Sequence, residues 1–131
     1  MSACLVRPFA AADAARVNRI ARAAFAEYEG RYEDWPTFID GIGRMADLAA
    51  SGDLFVAELD GVMVGAVVHL KPGQVRNAIF PDDWSVIRML VVAPEARGHG
   101  AGRLLVAACL DRARRAGAPA VGLHTTPLMA S

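Results

Sequence analysis

Hydrophobic residues recur at helical spacing in two stretches of the first half of the chain. In the first stretch, apolar residues recur three and four positions apart, as on the buried face of a helix. These positions are Val17, Ile20, Ala21, Ala24, Phe25 and Tyr28. Asp13 precedes them and is expected to cap the helix, because its carboxylate can accept a backbone N–H. Pro36 suits the first turn of a second helix. The apolar face of that helix would comprise Phe38, Ile42, Met45 and Ala49.

Shorter runs rich in β-branched and aromatic residues predict the strands. The predicted strands are residues 3–9, the two arms of a hairpin over 53–70, a central strand over 84–93 and a last strand over 119–126. Asp60 and Gly61, between the two arms of the hairpin, accept the positive φ angles of a tight type I′ turn. The central strand is mostly apolar, which is typical of a strand covered on both faces.

A last helix is predicted over residues 102–117, and Gly117 would end it. Its inward-facing residues would be Leu104, Leu105, Ala108 and Cys109. The predicted order of elements is β-α-α-β-β-β-α-β, which implies a mixed α/β (α+β) fold with helices flanking a central sheet. The 131 residues suffice for one domain spanning 1–131.

The composition narrows the class of protein. Hydrophobic residues make up 54% of the chain, enough for a sizeable core, and 14 basic residues balance 14 acidic ones. This balance argues against a nucleic-acid partner. We expect no membrane partner, since no apolar run reaches the ~20 residues of a membrane helix. Cys4 and Cys109 lack CxxC spacing, which favours reduced thiols in the cytoplasm. Lys71 is the only lysine among the basic residues, and this arginine-rich composition with many alanines and glycines indicates a bacterial, GC-rich genome. The three histidines lack metal-ligand spacing, so no metal is expected.

Gly98, Gly100 and Gly102 lie between the predicted central strand and the last helix. Glycine loses more conformational entropy on folding than any other residue, so this density needs a reason. The first N–H groups of a helix have no partner within it, and the helix dipole adds partial positive charge there. Glycines let an anion approach that backbone without meeting a Cβ atom. The loop therefore predicts a phosphate site and favours a pyrophosphate.

Two common phosphate motifs do not fit this loop. A Walker A loop would follow Gly102 with lysine, but Arg103 stands there. A dinucleotide fingerprint beginning at Gly98 would require another glycine at position 103 and an acidic residue about 20 positions later. The chain instead reads R-x-x-G-x-G from Arg97 onwards, directly after LVVAPEA. This motif and the order of elements resemble the GNAT family of acetyl-CoA-dependent N-acetyltransferases over nearly the whole chain.

The resemblance implies that acetyl-CoA is the acetyl donor and that its pyrophosphate lies on the backbone N–H groups of residues 98–103. Arg97 and Arg103 would add positive charge. In the family, the central strand carries a bulge and splays from its neighbour, and the pantetheine arm lies in that gap. Here the arm would pair with the backbone of residues 90–92, and the Leu90 N–H would polarise the thioester carbonyl. The implied cofactor-binding residues are Leu90, Val91, Val92, Arg97, Gly98, His99, Gly100, Ala101, Gly102 and Arg103.

The resemblance leaves the general base open. An amine must be neutral to attack the thioester, so a base or a water chain is expected. The histone-acetylating branch of the family has a glutamate at the position of Arg88, and an arginine cannot accept a proton. We expect His124, at the end of the last strand, to be the catalytic base, with Glu58 and His69 as alternatives. His99 would contribute only its backbone.

The acceptor is expected to be a primary amine of a small molecule or a peptide. Aromatic and acidic side chains occur together before the second helix and before the central strand, and such a mixture suits an ammonium group. The expected acceptor-binding residues are Tyr28, Tyr32, Asp83 and Trp84, with Glu33 and Trp35 beside them in sequence.

A second interpretation stays open, a GNAT-like module that binds acyl-CoA without turnover. In the family, the strand over 119–126 is followed by a helix and usually two strands, and that helix often carries a tyrosine that protonates the leaving thiolate. This sequence ends at PLMAS without them. We therefore expect slow turnover and a homodimer, in which two copies cover each other's open sheet edges.

Overall fold

The computed structural model describes residues 3–30, 33–74 and 79–123, and these form one sheet with helices packed on it. The strands are β1 (Cys4–Pro8), β2 (Asp53–Leu59), β3 (Val62–Leu70), β4 (Ser85–Val92) and β5 (Val121–Leu123). The helices are α1 (Ala14–Phe25), α2 (Trp35–Ile42) and α3 (Ala101–Arg115). The expected order of elements and the mixed sheet are confirmed. Among the described helices, none is both long and apolar enough to cross a membrane.

The sheet has the strand order β1-β2-β3-β4-β5. The first four strands pair antiparallel, and β5 pairs parallel to β4 because α3 carries the chain back between them. Asp60 and Gly61 join β2 to β3 with φ angles of 51° and 85°, which confirms the predicted tight turn.

Each face of the sheet is covered by different helices. On one face, the Arg112 guanidinium of α3 lies 5.2 Å from the centre of the Phe55 ring. On the same face, a Cβ atom at Gly65 would lie 2.8 Å from the Val91 carbonyl oxygen and 3.2 Å from Leu105 of α3. The close approach of α3 to β3 therefore requires glycine there. The other face carries Arg88, opposite Val68 in the register, and Arg88 meets α2.

The buried face of α3 differs from the predicted one by one position. Leu104 was expected to face inward but is 39% exposed. The residues that the helix buries are Ala101, Leu105, Cys109 and Ala113. The first residue of the helix, Ala101, is buried, and the other buried residues follow it at intervals of four along the same face. Burial also raises the pKa of the Cys109 thiol to about 12, so it packs as a small apolar group.

The second predicted helical face is interrupted. The helix α2 begins with Pro36 in its first turn, as expected, but it ends at Ile42, and residues 45–50 form a 3₁₀ helix instead. Gly43 caps α2, and a Cβ atom there would collide with the Arg22 guanidinium of α1. The prediction of one continuous helix face reaching Ala49 was wrong because packing against α1 sets the end of α2.

Asp13 is the N-cap residue of α1, as expected, but its side chain does not cap that helix. The Asp13 side chain makes no hydrogen bond to the N–H groups of α1. Its carboxylate accepts the Ala10 N–H at 2.8 Å and pairs with Arg7 of β1 at 2.8 Å. These contacts lower the pKa of the Asp13 carboxyl, with the Arg7 hydrogen bond as the largest cause. Asp13 therefore ties the start of α1 to the edge strand.

His69 joins three strands through a buried polar network. Its imidazole is fully buried, with Nε2 3.0 Å from Ser85 Oγ and Nδ1 3.3 Å from Asp53 Oδ2. An ionised carboxylate only accepts hydrogen bonds, so Nδ1 carries the proton and the Ser85 hydroxyl donates to Nε2. Burial lowers the pKa of His69, which exceeds the opposing effect of the Asp53 hydrogen bond. The neutral imidazole is therefore the form that the fold accommodates.

This network predicts a loss of stability in mild acid. Below about pH 6.5 the unfolded chain protonates His69 while the folded chain resists it, so the unfolded state binds more protons. The contribution of this network to the free energy of unfolding should therefore be fully present above pH 6.5. It should fall as the pH drops from 6.5 to 5. The slope would be at most about 1.4 kcal/mol per pH unit. Urea unfolding across this range measures it.

The matched comparison uses two histidine variants. His69→Gln should be less stable at neutral pH and should lose the slope between pH 6.5 and 5. His99→Gln should keep the wild-type slope, because His99 is exposed in the glycine loop. An unchanged slope in His69→Gln would contradict the assignment of this pH dependence to the network.

Candidate active site

The glycine loop turns from β4 into α3 through two left-handed residues. Gly98 and Gly100 have φ angles of 88° and 86°, and Gly100 is the N-cap of α3. The first hydrogen bond of the helix runs from the Leu104 N–H to the Gly100 carbonyl, at 3.1 Å. A Cβ atom on Gly98 or Gly100 would meet no protein atom within 4 Å. The backbone conformation therefore calls for these glycines, and the space beside them is open to a ligand.

The N–H groups of residues 98–103 have no hydrogen-bond acceptor in the described part of the chain, which comprises residues 3–30, 33–74 and 79–123. Three of them form the first turn of α3, where the helix dipole contributes positive charge. A row of free donors at a helix start is the arrangement that binds phosphate groups.

The central strand carries the bulge that the resemblance implied. Ala66 pairs with Val91 and Val68 pairs with Arg88, so one residue of β3 lies opposite the two β4 residues Met89 and Leu90. Met89 has a φ angle of 58°, which is unusual for a residue other than glycine. Such a bulge frees one residue from the ladder and changes the direction of the strand. β4 pairs with β5 through residues 85–87. The splay of these two strands that the resemblance implied would involve residues after 123, which lie outside the described residues.

A narrow cleft of about 260 Å³ lies against the last part of β4. Its walls are residues 90–92 on one side and the end of α1 with the following turn on the other. Arg97 closes one end through an ion pair with Glu27, with Nη2 3.1 Å from Oε1 and Nη1 3.4 Å from Oε2. Tyr28 lines the same cleft and is half-buried. Arg97 thus links the glycine loop to the far wall of the cleft, an arrangement that the sequence did not indicate.

A wide cleft of about 470 Å³ lies on the same face of the sheet, beside α2. It is lined by Thr37, Phe38, Gly41, Ile42, Arg44, Met45, Asp47, Leu48, Arg88 and Met89. The two clefts lie side by side along β4, since Met89 lines the wide cleft and Leu90, the next residue, lines the narrow one. The rings of Phe25 and Phe38 stand between them with centroids 5.8 Å apart. Residues on both sides of the bulge therefore face cavities of ligand size.

The remaining predicted site residues lie in different places. Asp83 and Trp84 precede β4, at the opposite end of that strand from the glycine loop, and Asp83 is exposed. Tyr32 and His124 lie outside the described residues. Glu58 pairs with Arg7 near the sheet edge, at 3.1 Å. No group of three or more metal-ligating side chains occurs among the residues described.

His69 is not placed to act as the base that the sequence left open. It is on the face of the sheet that carries Phe55 and α3, since Asp53 pairs with His69 and Phe55 is two residues further along β2. Both clefts lie on the other face, with Arg88. The buried network already occupies both ring nitrogens of His69. Its role is therefore structural.

Solved structures with the same fold are acetyltransferases. A GNAT family acetyltransferase from Brucella melitensis, in complex with acetyl-CoA, superposes with a TM-score of 0.66 at 24% identity, covering 95% of this chain and 77% of that one. A GCN5-related N-acetyltransferase from Ralstonia eutropha JMP134 gives 0.65 at 24% identity, covering 96% and 86%. The aminoglycoside N-acetyltransferase AAC(6')-Iy in complex with CoA gives 0.66 at 19% identity, covering 98% and 80%.

Comparison of the sequence itself gives the family. No curated protein sequence is significantly similar to this chain. The family model described as "Acetyltransferase (GNAT) family" matches residues 14–129, which include α1, α2, the sheet from β2 onwards and the glycine loop. The chain therefore belongs to the GNAT family of acetyltransferases.

Proposed function

We propose that this chain transfers the acetyl group of acetyl-CoA to a primary amine of a small molecule or a peptide. The observation that carries the proposal is the row of N–H groups over residues 98–103, which have no acceptor in the described part of the chain. The row begins one residue after Arg97, the start of the R-x-x-G-x-G sequence, and continues into a helix. Membership of the family supports acetyl-CoA as the donor.

Each part of the donor has a corresponding part of the site. The pyrophosphate would lie on the N–H groups of residues 98–103, and the exposed Arg103 would add charge. The pantetheine arm would follow residues 90–92 along the narrow cleft. Leu90 has no partner in the register with β3, and its N–H is the group that we assign to the thioester carbonyl. An N–H at that point would stabilise the oxyanion as the tetrahedral intermediate forms.

The acceptor amine would arrive from the wide cleft, because that cleft and the narrow one are lined by the consecutive residues Met89 and Leu90. The neutral nitrogen forms a bond to the carbonyl carbon, and the bond from that carbon to sulfur breaks. The nitrogen gives up its proton to a base or to water, and the leaving thiolate takes up a proton. Arg88 lies at the bulge and cannot accept a proton. We retain His124 as the proposed base.

The proposal is tested in two steps with the full chain. Calorimetric titration with acetyl-CoA should give saturable binding, and release of CoA thiol should follow when primary amines are added. Absence of acetyl-CoA binding would overturn the proposal. Saturable binding without thiol release from any amine would favour the alternative of a non-catalytic acyl-CoA-binding module.

The homodimer and the cytoplasmic location are further parts of the proposal. The support for the dimer is that β5 is an edge strand of the sheet among the described residues. The support for the location is the pair of free cysteines, Cys4 and Cys109. Sedimentation at micromolar concentration should give the mass of two chains, and a clean monomer would contradict the dimer.

A further inference from the structure

The wide cleft contains charges that a simple amine would not require. Arg88 is half-buried there, and its guanidinium has no ion-pair or hydrogen-bond partner within the described residues. Arg44 also lines the cleft, but it already faces Asp40 at 3.7 Å. An arginine whose charge has no partner in the protein can accept an anionic group of a ligand. Arg88 is therefore the cation with which an anionic group of a ligand would pair.

The position of Arg88 fixes where that ligand would lie. Arg88 is two residues before Leu90, so the cation and the proposed oxyanion site are on either side of the bulged Met89. A carboxylate on Arg88 would accept two parallel N–H bonds from the guanidinium, which orients the rest of the molecule as well as holding it. The ligand atoms next to this carboxylate would then lie near Met89 and Leu90, where the two clefts are side by side.

The same cleft offers a site of opposite charge and an apolar wall. Asp47 is exposed, lines the cleft, and its carboxylate has no hydrogen-bond or ion-pair partner within the described ranges. It suits an ammonium group. The apolar wall is formed by Phe38, Ile42, Met45, Leu48 and Met89. The volume of about 470 Å³ is in the range of small-molecule sites.

We propose that the acceptor is an amino acid with an apolar side chain, whose carboxylate binds Arg88 and whose ammonium group is drawn in by Asp47. This inference rests on the proposed acetyl transfer and names its substrate class. Arg88 is then a residue that determines specificity.

Matched acceptors test the proposal. L-leucine, L-leucinamide and isoamylamine share the amine and the apolar chain, but only L-leucine has a carboxylate. We expect kcat/KM for L-leucine to exceed that for the other two by about ten- to a hundredfold, the usual effect of a hydrogen bond to a charged group. The same ranking is expected for L-methionine against its amide. Equal values within each set would overturn the proposal.

Variants separate the carboxylate contact from general damage. Arg88→Gln should raise KM for L-leucine at least tenfold, should leave KM for isoamylamine unchanged, and should bind acetyl-CoA as tightly as the wild type. Arg88→Lys should restore part of the preference. The control Arg115→Gln lies on α3, paired with Asp111, and should keep the preference. If the wild type itself did not bind acetyl-CoA, that result would instead contradict the proposed function.

A binding measurement decides the case in which acetyl-CoA binds but no amine is acetylated. N-acetyl-L-leucine is the product of the proposed reaction, and N-acetyl-isoamylamine is its counterpart without a carboxylate. Titration should show binding of the first alone, lost in Arg88→Gln and kept in Asp47→Asn, because the acetylated nitrogen carries no charge for Asp47 to attract. Asp111→Asn should behave as the wild type, since Asp111 lies on α3, on the other face of the sheet. Equal binding of both compounds, or of neither, would overturn the proposal.

Discussion

Gly100→Glu is expected to abolish acetyl-CoA binding. Gly100 is the N-cap of α3 and stands in the row of free N–H groups. A glutamate there would bring a side chain and a negative charge into the space proposed for the phosphates. It would also strain a backbone with a φ angle of 86°. Calorimetry should detect no binding at acetyl-CoA concentrations a hundredfold above the wild-type Kd.

Gly117→Glu is the matched control for backbone strain. Gly117 has a φ angle of 71° and lies at the other end of α3, and a Cβ atom there would also meet open space. It should lose a similar amount of stability and keep wild-type affinity. If Gly100→Glu binds as tightly as Gly117→Glu, the phosphates bind elsewhere.

Leu105→Ala is expected to cost about 2–5 kcal/mol of the free energy of unfolding, the range for deleting a buried leucine. Leu105 is fully buried, and it approaches the glycine position of β3 that lets α3 lie close to the sheet. Leu104→Ala, one position earlier, should cost less than about 1 kcal/mol because Leu104 is 39% exposed. Urea unfolding of both variants measures the difference. A larger loss in Leu104→Ala would restore the helix face expected from the sequence.

The spacing of apolar residues predicts the elements because each helix and strand buries one face. The stripe of α1 and the turn at Asp60 and Gly61 depend only on neighbouring residues, and both are confirmed. The predicted details of the helix ends are wrong where contacts with residues distant in sequence determine them. Gly43 ends α2 against Arg22, and Asp13 turns to Arg7, neither of which the local pattern could indicate.

The candidate site likewise has a part that the local sequence predicts and a part that depends on distant contacts. The glycine loop could be predicted because the motif, the strand before it and the helix after it are contiguous in sequence. The wide cleft could not, because Asp47 and Arg88 come from separate segments that only the fold brings together. The ion pair of Arg97 with Glu27 likewise joins residues 70 positions apart. His69 resembles a catalytic histidine in sequence, and only its burial identifies the structural role.

The central claim is that the backbone of residues 98–103 holds the pyrophosphate of acetyl-CoA. Titration of ¹⁵N-labelled protein with acetyl-CoA, followed through its amide resonances, tests it most directly. We predict that the amide resonances of these six residues move together and saturate with the Kd found by calorimetry. Saturable binding that shifts other amides while these six stay in place would contradict the claim.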